Sequence, residues 1–399
     1  MKGNELKPHI GIFGRRNFGK SSLLNFLTNQ SISIVSDTPG TTTDPVRKSM
    51  EISGIGPVVL VDTAGFDDLG HLGSLRVERT DHELPQMDLA ILLFSQNNFG
   101  LPERNFLQSC QSASIPYLII CSQVDLHAPD PDLISSIQTE FSTTIFPLTV
   151  HDASLRQPLL DLIKSTLPTT SYVHPSLLGS ILAPDDIVLL VTPIDSSAPE
   201  GRMILPQVQV LRDILDNNAI ALDCQPQQLP QALASLSRPP RLVVTDSQAF
   251  HQVARIVPDH IPLTSFSVLL ARAKGLFDQY VQGTFAVDRL HDGDRLLLLE
   301  SCTHNVTCED IGRVKLPNLI SKHTGKTLHF DILGGSTPIQ RPITDYAIVI
   351  QCGGCVVTAQ QLRARLGSAL QHQVPISNYG LMLAHLNGIL KRSIQIFNI

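Results

Sequence analysis

An eight-residue phosphate-binding motif limits what this 399-residue chain can fold into more than any other feature. Residues 14–21 are Gly-Arg-Arg-Asn-Phe-Gly-Lys-Ser and match the pattern G-x-x-x-x-G-K-[ST]. The motif lies between an apolar stretch, His9–Phe13, and a helical pattern, Ser22–Leu27. In such a loop, backbone N–H groups cradle phosphates, the lysine reaches the β and γ oxygens, and the hydroxyl holds magnesium. The predicted nucleotide-binding residues here are Asn17, Phe18, Gly19, Lys20, Ser21 and Ser22.

Alternation of short apolar runs with helical patterns predicts an α/β fold along the whole chain. A Pro-containing stretch at residues 168–175 interrupts the alternation and predicts a linker. We therefore predict three domains, at residues 1–172, 173–262 and 263–399. The predicted strands are His9–Phe13, Val58–Val61, Leu89–Phe94, Tyr117–Cys121, Ile187–Val191, Ala219–Leu222, Leu242–Thr245, Arg295–Glu300, Leu328–Ile332 and Ala347–Gln351. The predicted helices include Pro206–Leu215, Pro230–Leu236, Ser247–Ile256, Phe266–Lys274, Ala359–Leu370 and Gly380–Leu390.

Charge and hydropathy exclude two classes of partner. The net charge of -6 offers no basic surface for gripping a nucleic-acid backbone. The longest apolar runs are far too short to cross a bilayer, and residues 1–10 have no apolar signal region. We expect a cytoplasmic protein with neither nucleic acid nor a membrane as its partner.

Two further segments provide partners for the phosphate loop. Asp62-Thr63-Ala64-Gly65 directly follows the strand Val58–Val61, where an aspartate holds magnesium through water and a glycine N–H meets the γ-phosphate. Residues 40–44, Gly-Thr-Thr-Thr-Asp, resemble the first switch of GTPases related to tRNA-modification and ribosome-assembly factors. That resemblance makes Thr42 the switch ligand to magnesium. Lys20, Thr42 and Gly65 are therefore the predicted catalytic residues, together with Asn17.

The base-recognition motif is incomplete. In this GTPase class a strand is followed by Asn-Lys-x-Asp, whereas here Tyr117–Cys121 is followed by Ser-Gln-Val-Asp at residues 122–125. Asp125 keeps the pair of acceptors that selects guanine, but the packing of a lysine stem against the base is lost. We expect GTP as the nucleotide, bound more weakly than in relatives with the full motif. Capping of a helix by Asp125 is the alternative.

The residue after Gly65 is Phe66, where Ras-like proteins have the glutamine that orients water. Hydrolysis should therefore be slow or use another device. In related potassium-activated GTPases an asparagine at the position of Asn17 helps bind a monovalent cation near the phosphates. By that resemblance Asn17 binds potassium, unless it merely caps the loop.

Four of the seven cysteines cluster late in the chain. Cys302-Thr303-His304 follows the predicted strand Arg295–Glu300, and Cys352-Gly-Gly-Cys355 follows Ala347–Gln351. If these two strands are neighbours, three thiols and one imidazole meet at one sheet edge. Local spacing leaves a structural Cys3His zinc site and an iron-sulfur cluster equally open, and a redox pair is less favoured.

The whole cysteine pattern resembles that of the maturation GTPases of iron-only (FeFe) hydrogenases, the HydF family. The resemblance extends through residues 309–317, 375–380 and 198–207, so it covers all three predicted domains. It implies that Cys302, Cys352 and Cys355 bind a 4Fe-4S cluster, with His304 as an optional fourth ligand and Cys308 outside the motif. It also implies a dimerisation domain at 173–262 and a cluster-binding domain at 263–399.

The function that this resemblance implies is a GTP-hydrolysing scaffold. Such a scaffold receives a diiron precursor from two radical-SAM enzymes and delivers it to apo FeFe-hydrogenase, and it forms a homodimer. A rival hypothesis is a GTPase of tRNA modification or ribosome assembly with a structural zinc appendage, which the acidic charge disfavours. A nucleotide-binding module without hydrolysis is the third hypothesis, because of Phe66 and the incomplete base motif.

Overall fold

The computed structural model describes residues 7–28, 46–63, 83–173, 176–194, 203–301, 311–335, 337, 339–355 and 357–397. The chain forms two compact units, one of residues 1–173 with 357–367 and one of residues 174–356 with 368–399. A segment from far down the chain thus completes the unit that holds the phosphate loop. Within the ranges given above, we find no helix with the length and hydrophobicity that a bilayer crossing requires. The three-domain division stays a prediction.

The first unit contains a six-stranded sheet flanked by helices. Its strands are β1 (His9–Gly14), β2 (Val46–Ile52), β3 (Gly56–Asp62), β4 (Leu89–Phe94), β5 (Tyr117–Ser122) and β6 (Ile145–Leu148). Its helices include α1 (Lys20–Thr28), α2 (Leu101–Ser112), α3 (Pro131–Phe141) and α4 (Arg156–Thr166). The strand order is β2-β3-β1-β4-β5-β6, and only the β2–β3 pair is antiparallel among these strands. Every residue of β4 is buried, because helices cover both faces of the sheet.

The second unit contains two four-stranded sheets in which all pairs are parallel. The strands of the first are β7 (Ile187–Val191), β8 (Ile220–Cys224), β9 (Leu242–Thr245) and β10 (Leu263–Ser265), in the order β10-β9-β7-β8. The strands of the second are β11 (Arg295–Leu299), β12 (His329–Leu333), β13 (Ile348–Gln351) and β14 (Ile376–Asn378), in the order β12-β11-β13-β14. Its helices include α5 (Leu205–Asp216), α6 (Leu229–Ser235), α7 (Phe250–Ile256), α8 (Phe266–Ala273), α9 (Phe277–Thr284) and α10 (Leu316–Thr324). The next helix, α11 (Ala359–Gln371), begins in the segment 357–367 of the first unit and ends in the second, which also contains α12 (Tyr379–Leu386) and α13 (Leu390–Ile394).

The structure confirms the predicted α/β class and corrects two of the predicted helices. The helix predicted at Gly380–Leu390 is split into α12 and α13, because Gly388 adopts a left-handed φ of 73° between them. The helix predicted at Ser247–Ile256 begins only at Phe250, since a turn at Asp246 precedes it. Sequence patterns missed β2, β6, β10, β14, α9 and α10, and they gave no bounds for α2, α3 and α4.

A buried carboxylate accepts hydrogen bonds from distant parts of the first unit. Asp88 lies just before β4, is fully buried, and accepts a 2.8 Å hydrogen bond from the backbone N–H of His9 in β1. From the distant segment, the Thr358 hydroxyl donates to Asp88 Oδ1, and Gln361 Nε2 donates to Oδ2 at 3.2 Å. Because a buried carboxylate without partners is costly, this segment is part of what keeps the first unit folded.

The two titratable groups at this junction have pKa values shifted in opposite directions. Burial raises the pKa of Asp88 from 3.8 to about 6, although its hydrogen bonds act to lower it. Burial, and then the positive charge of Arg47, lowers the pKa of His9 from 6.5 to about 4. The contribution of Asp88 to the free energy of unfolding therefore decreases as the pH rises from about 4 to about 6. The contribution of His9 decreases as the pH falls through the same range. The two effects oppose each other.

We predict that removing either group reveals the pH dependence of the other. In His9→Gln the free energy of unfolding should fall, relative to wild type, by on the order of 2 kcal/mol between about pH 4 and about pH 6, because Asp88 is then the one member of this pair that titrates there. In Asp88→Asn it should rise over the same interval, from a lower overall stability. Urea denaturation at several pH values measures this, with His127→Gln at an exposed histidine as the control. Parallel pH profiles in all variants would contradict the assignment.

Candidate nucleotide and cluster sites

The backbone of the loop between β1 and α1 has the curvature that phosphate binding requires. Gly14 has a φ of 145°, and a Cβ there would lie 2.5 Å from the carbonyl oxygen of Leu93, so a side chain does not fit. Asn17 and Gly19 also have positive φ angles, of 63° and 89°. Lys20 Nζ donates to the carbonyl oxygen of Gly14 at 3.0 Å, which holds its positive charge over the loop.

The two predicted magnesium partners of the P-loop unit lie in contact. Ser21 Oγ donates to Asp62 Oδ2 at 2.7 Å. Asp62 ends β3 opposite Ile12 of β1, and the buried Thr63 hydroxyl donates to the Ile12 carbonyl oxygen at 2.7 Å. Burial raises the pKa of Asp62, although the Ser21 hydrogen bond and the charge of Lys20 act to lower it. Hydroxyl and carboxylate oxygens at this spacing fit magnesium.

A buried ion pair fixes the loop to the neighbouring helix. The Arg15 guanidinium donates to both carboxylate oxygens of Glu103 in α2, at 2.6 and 2.8 Å. The Glu103 side chain is fully buried, and it also accepts a 2.8 Å hydrogen bond from the backbone N–H of Gly100. Sequence reasoning missed this pair, because the partners are 88 residues apart and Arg15 stands at a position of the phosphate-binding motif that any residue can occupy.

The incomplete base motif supports the phosphate loop from the end of β5. Ser122 Oγ donates to the carbonyl oxygen of Phe18 at 2.7 Å, and Gln123 Nε2 donates to that of Asn17 at 3.2 Å. The Asp125 side chain is 33% exposed, so its carboxylate can meet guanine N–H groups. Ser122 and Gln123 were absent from the predicted site, although their place directly after an apolar strand was a usable signal.

Several predicted site residues lie outside the described part of the chain. Their roles therefore stay predictions. They are Thr42, Gly65 and Phe66 on the nucleotide side, and Cys302, His304 and Cys308 on the cysteine side.

The described half of the cysteine site lies where two strands end together. β11 and β13 are parallel neighbours with Leu299 opposite Gln351, which confirms that the two predicted strands lie side by side. The backbone N–H of Ser301, after the end of β11, donates to Cys352 Sγ at 3.1 Å. Cys352 and Cys355 are both partly buried. Half-buried thiols that accept N–H donors are suited to metal and iron-sulfur ligation.

Other segments of the cysteine-bearing domain meet around this edge. Asn378 Nδ2 donates to the Cys352 carbonyl oxygen at 3.3 Å and caps α12 through its other amide atom. Glu300, which is nearly buried, pairs with Arg313 at 3.0 Å. A Cβ at Gly312 would lie 2.5 Å from the Tyr379 hydroxyl, so glycine permits this close approach. The edge that carries the thiols is therefore firmly supported.

Comparison with known families decides the identity of the chain. The hydrogen maturase F dimerization domain matches residues 177–275, and the hydrogen maturase F tetramerization domain matches residues 278–396. A domain described as 50S ribosome-binding GTPase matches residues 9–123. The chain belongs to the hydrogen maturase F family. A P-loop GTPase domain therefore precedes two further domains in this chain. Their descriptions as dimerization and tetramerization domains indicate that the protein forms a homo-oligomer.

The individual relatives named below are GTPases that match part of this chain. The tRNA modification GTPase MnmE of Leptospira biflexa is 32% identical over 165 residues, which is 41% of this chain and 35% of that protein. GTPase Der of Wolinella succinogenes is 46% identical over 87 residues, or 21% of this chain and 18% of Der. The chain thus spans about a third or less of these relatives. The solved Era structure from Aquifex aeolicus has a TM-score of 0.35 at 19% identity, covering 54% of this chain and 91% of Era.

We predict that the nucleotide site depends on Lys20 for turnover and on Ser122 for affinity. Lys20→Ala should lower GTP turnover at least about a hundredfold, because it removes the charge that stabilises the γ-phosphoryl oxygens.

Ser122→Ala should weaken GDP binding about three- to tenfold, because one hydrogen bond to the loop is lost. Steady-state kinetics and calorimetry measure these effects, with Ser136→Ala on exposed α3 as the control. Unchanged turnover in Lys20→Ala would rule out the P-loop assignment.

Proposed function

We propose that this chain is a GTP-hydrolysing scaffold that holds a 4Fe-4S cluster and delivers a diiron precursor to apo FeFe-hydrogenase. The observation that carries the proposal is the shared edge of β11 and β13. Cys352 and Cys355 follow β13, and in the sequence Cys302 follows β11. All three cysteines lie within residues 278–396, which match the tetramerization domain.

The donor set fits a carrier better than a closed structural site. Three thiolates from Cys302, Cys352 and Cys355 leave one iron of the cluster without a protein thiolate, and His304 is the optional fourth ligand. When bound, the cluster supplies an exchangeable position to which a second iron unit attaches reversibly. The backbone N–H of Ser301 donates a hydrogen bond to Cys352 Sγ and so stabilises the negative charge of that thiolate.

In the nucleotide site, the chain binds GTP with magnesium and positions the γ-phosphate for attack by water. Lys20 and the loop N–H groups stabilise the phosphate oxygens, Ser21 and Asp62 hold magnesium, and Thr42 and Gly65 complete the site from the switch segments. Asp125 accepts the guanine N–H groups. Asn17 positions a potassium ion beside the phosphates, in the role that an arginine finger has in other GTPases.

The proposed partners follow from the same assignment. Two radical-SAM enzymes supply the diiron precursor and apo FeFe-hydrogenase receives it. The scaffold is a homodimer in the cytoplasm, and neither nucleic acid nor a membrane takes part. The formal charge of -6 supports the exclusion of nucleic acid.

We predict that each proposed cluster ligand is needed for iron but not for GTP turnover. Cys302→Ser, Cys352→Ser and Cys355→Ser should each lose most reconstituted iron and fail to activate apo-hydrogenase, because a hydroxyl is a poor ligand for the cluster. GTP turnover should stay nearly normal in all three. Iron content, visible absorption, turnover and hydrogenase activation are measured on each full-length variant.

Two further variants make this test decisive. Cys308→Ser is the matched control and should keep its iron and its activation. His304→Ala should keep the cluster but change its EPR spectrum if the imidazole binds the fourth iron. A colourless protein with stoichiometric zinc would favour the structural-zinc hypothesis, and full iron with full activation in Cys352→Ser would refute the carrier.

We predict that potassium accelerates GTP hydrolysis and that Asn17 is responsible. Wild-type turnover should be faster in potassium than in sodium at equal ionic strength, since a bound cation offsets negative charge that builds up between the phosphates. Asn17→Ala should remove the difference between the salts while Asn97→Ala, outside the loop, should keep it. Equal wild-type rates in both salts would show that Asn17 has no such role.

A further inference from the structure

A second group of metal-ligating side chains lies in the tetramerization-type domain, apart from the cysteines. Asp288 is in a short 3-10 turn, Phe285–Arg289, while His323 and His385 are in the last turns of α10 and α12. His323 Nε2 lies 2.8 Å from Asp288 Oδ1, and His385 Nε2 lies 2.9 Å from Oδ2. One ligand atom from each of the three residues lies within 4.8 Å of the other two.

The arrangement of the rings is held by packing on the imidazoles. The His323 and His385 rings are 5.7 Å apart at 60°, and Phe285 packs edge-on against His385 with a centroid distance of 5.2 Å. Both imidazoles therefore present the same nitrogen, Nε2, to one carboxylate. Imidazole Nε2 and carboxylate oxygen are the donors that zinc, cobalt, nickel and iron(II) share.

The electrostatic environment favours a cation at this point. Both histidines lie at helix C-terminal ends, where unpaired carbonyl groups carry partial negative charge. Burial would raise the pKa of Asp288, but hydrogen bonds from His385 and His323 outweigh it, and its pKa lies below the usual range. A divalent ion bound here would lie between the carboxylate and the two Nε2 atoms, in place of the hydrogen bonds that now join them.

We propose that Asp288, His323 and His385 bind a divalent transition-metal ion, with the remaining coordination positions open to water. In a tetrahedral zinc site with bonds of about 2.0–2.1 Å, ligand atoms lie about 3.4 Å apart. The observed separations need only small side-chain adjustments to reach that value. The carboxylate of Asp288 is 42% exposed, and the His323 side chain 36%, so an ion has a path from solvent.

This site is distinct from the cysteine edge. Asn378, at the start of α12, contacts Cys352, whereas His385 is seven residues further along the same helix, about 10 Å away at 1.5 Å per residue. The proposal therefore does not depend on the iron-sulfur assignment. Either site can fail while the other stands.

Cobalt(II) titration of the full-length protein, followed in difference spectra against the same sample before Co²⁺ is added, tests the proposal. Excess magnesium and GDP occupy the nucleotide site, so Co²⁺ that binds elsewhere is observed by its d–d absorption. Wild type should bind one Co²⁺ without a thiolate charge-transfer band, and Zn²⁺ should displace it. His323→Ala, His385→Ala and Asp288→Asn should each weaken this binding at least about tenfold, since even outer-shell changes cost that much.

The matched control is His291→Ala, because His291 is an exposed histidine that pairs with the carboxylate of Asp294, with Nδ1 3.7 Å from Asp294 Oδ2, but with no second histidine among the described residues. It should bind Co²⁺ like wild type. Circular dichroism and GTP turnover establish that each variant is folded. Equal Co²⁺ binding in wild type and in folded His323→Ala would overturn the proposal. A thiolate charge-transfer band from the Co²⁺ that Zn²⁺ displaces would do the same, and the three side chains would then form only a hydrogen-bonded group.

Discussion

Parallel pairing of adjacent strands is the interaction on which both sites depend. In a parallel sheet the carboxyl ends of neighbouring strands share one edge, so loops from distant parts of the sequence meet there. The β1–β3 pair brings Asp62 to Ser21 across 41 residues, and the β11–β13 pair brings Cys352 to Ser301 across 51. The hydrogen-bond ladders, more than the loops themselves, determine which side chains can cooperate.

The nucleotide site shows how one sheet edge supports a loop from several sides. Glu103, whose side chain is fully buried, accepts two hydrogen bonds from Arg15, so the loss of Arg15 would leave a buried charge without its partner. Ser122 and Gln123 support the loop from β5, in place of the asparagine and lysine of related GTPases. The base motif thus retains a role in positioning the loop even though it has lost most of its recognition residues.

Sequence patterns predict the interior strands well and the edges poorly. β4 and β7 match their predicted bounds to the residue, because continuous apolar runs are typical of strands buried on both faces. β2 carries the charged residues Arg47, Lys48 and Glu51 at an antiparallel edge, and β14 has three residues, so neither stands out from a loop. In the site, local motifs predicted Ser21, Asp62 and the Cys352–Cys355 pair. Pairings such as Arg15 with Glu103 depend on the tertiary structure and leave no local pattern.

The segment at residues 357–367 makes the first unit discontinuous in sequence. A fragment that ended near residue 172 would keep the whole six-stranded sheet yet bury the Asp88 carboxylate without the donors Thr358 and Gln361. Cys355 precedes that segment by only two residues in the sequence. Dissecting this protein into autonomous pieces, or grafting its GTPase onto another carrier, therefore requires both chain segments to be transplanted together.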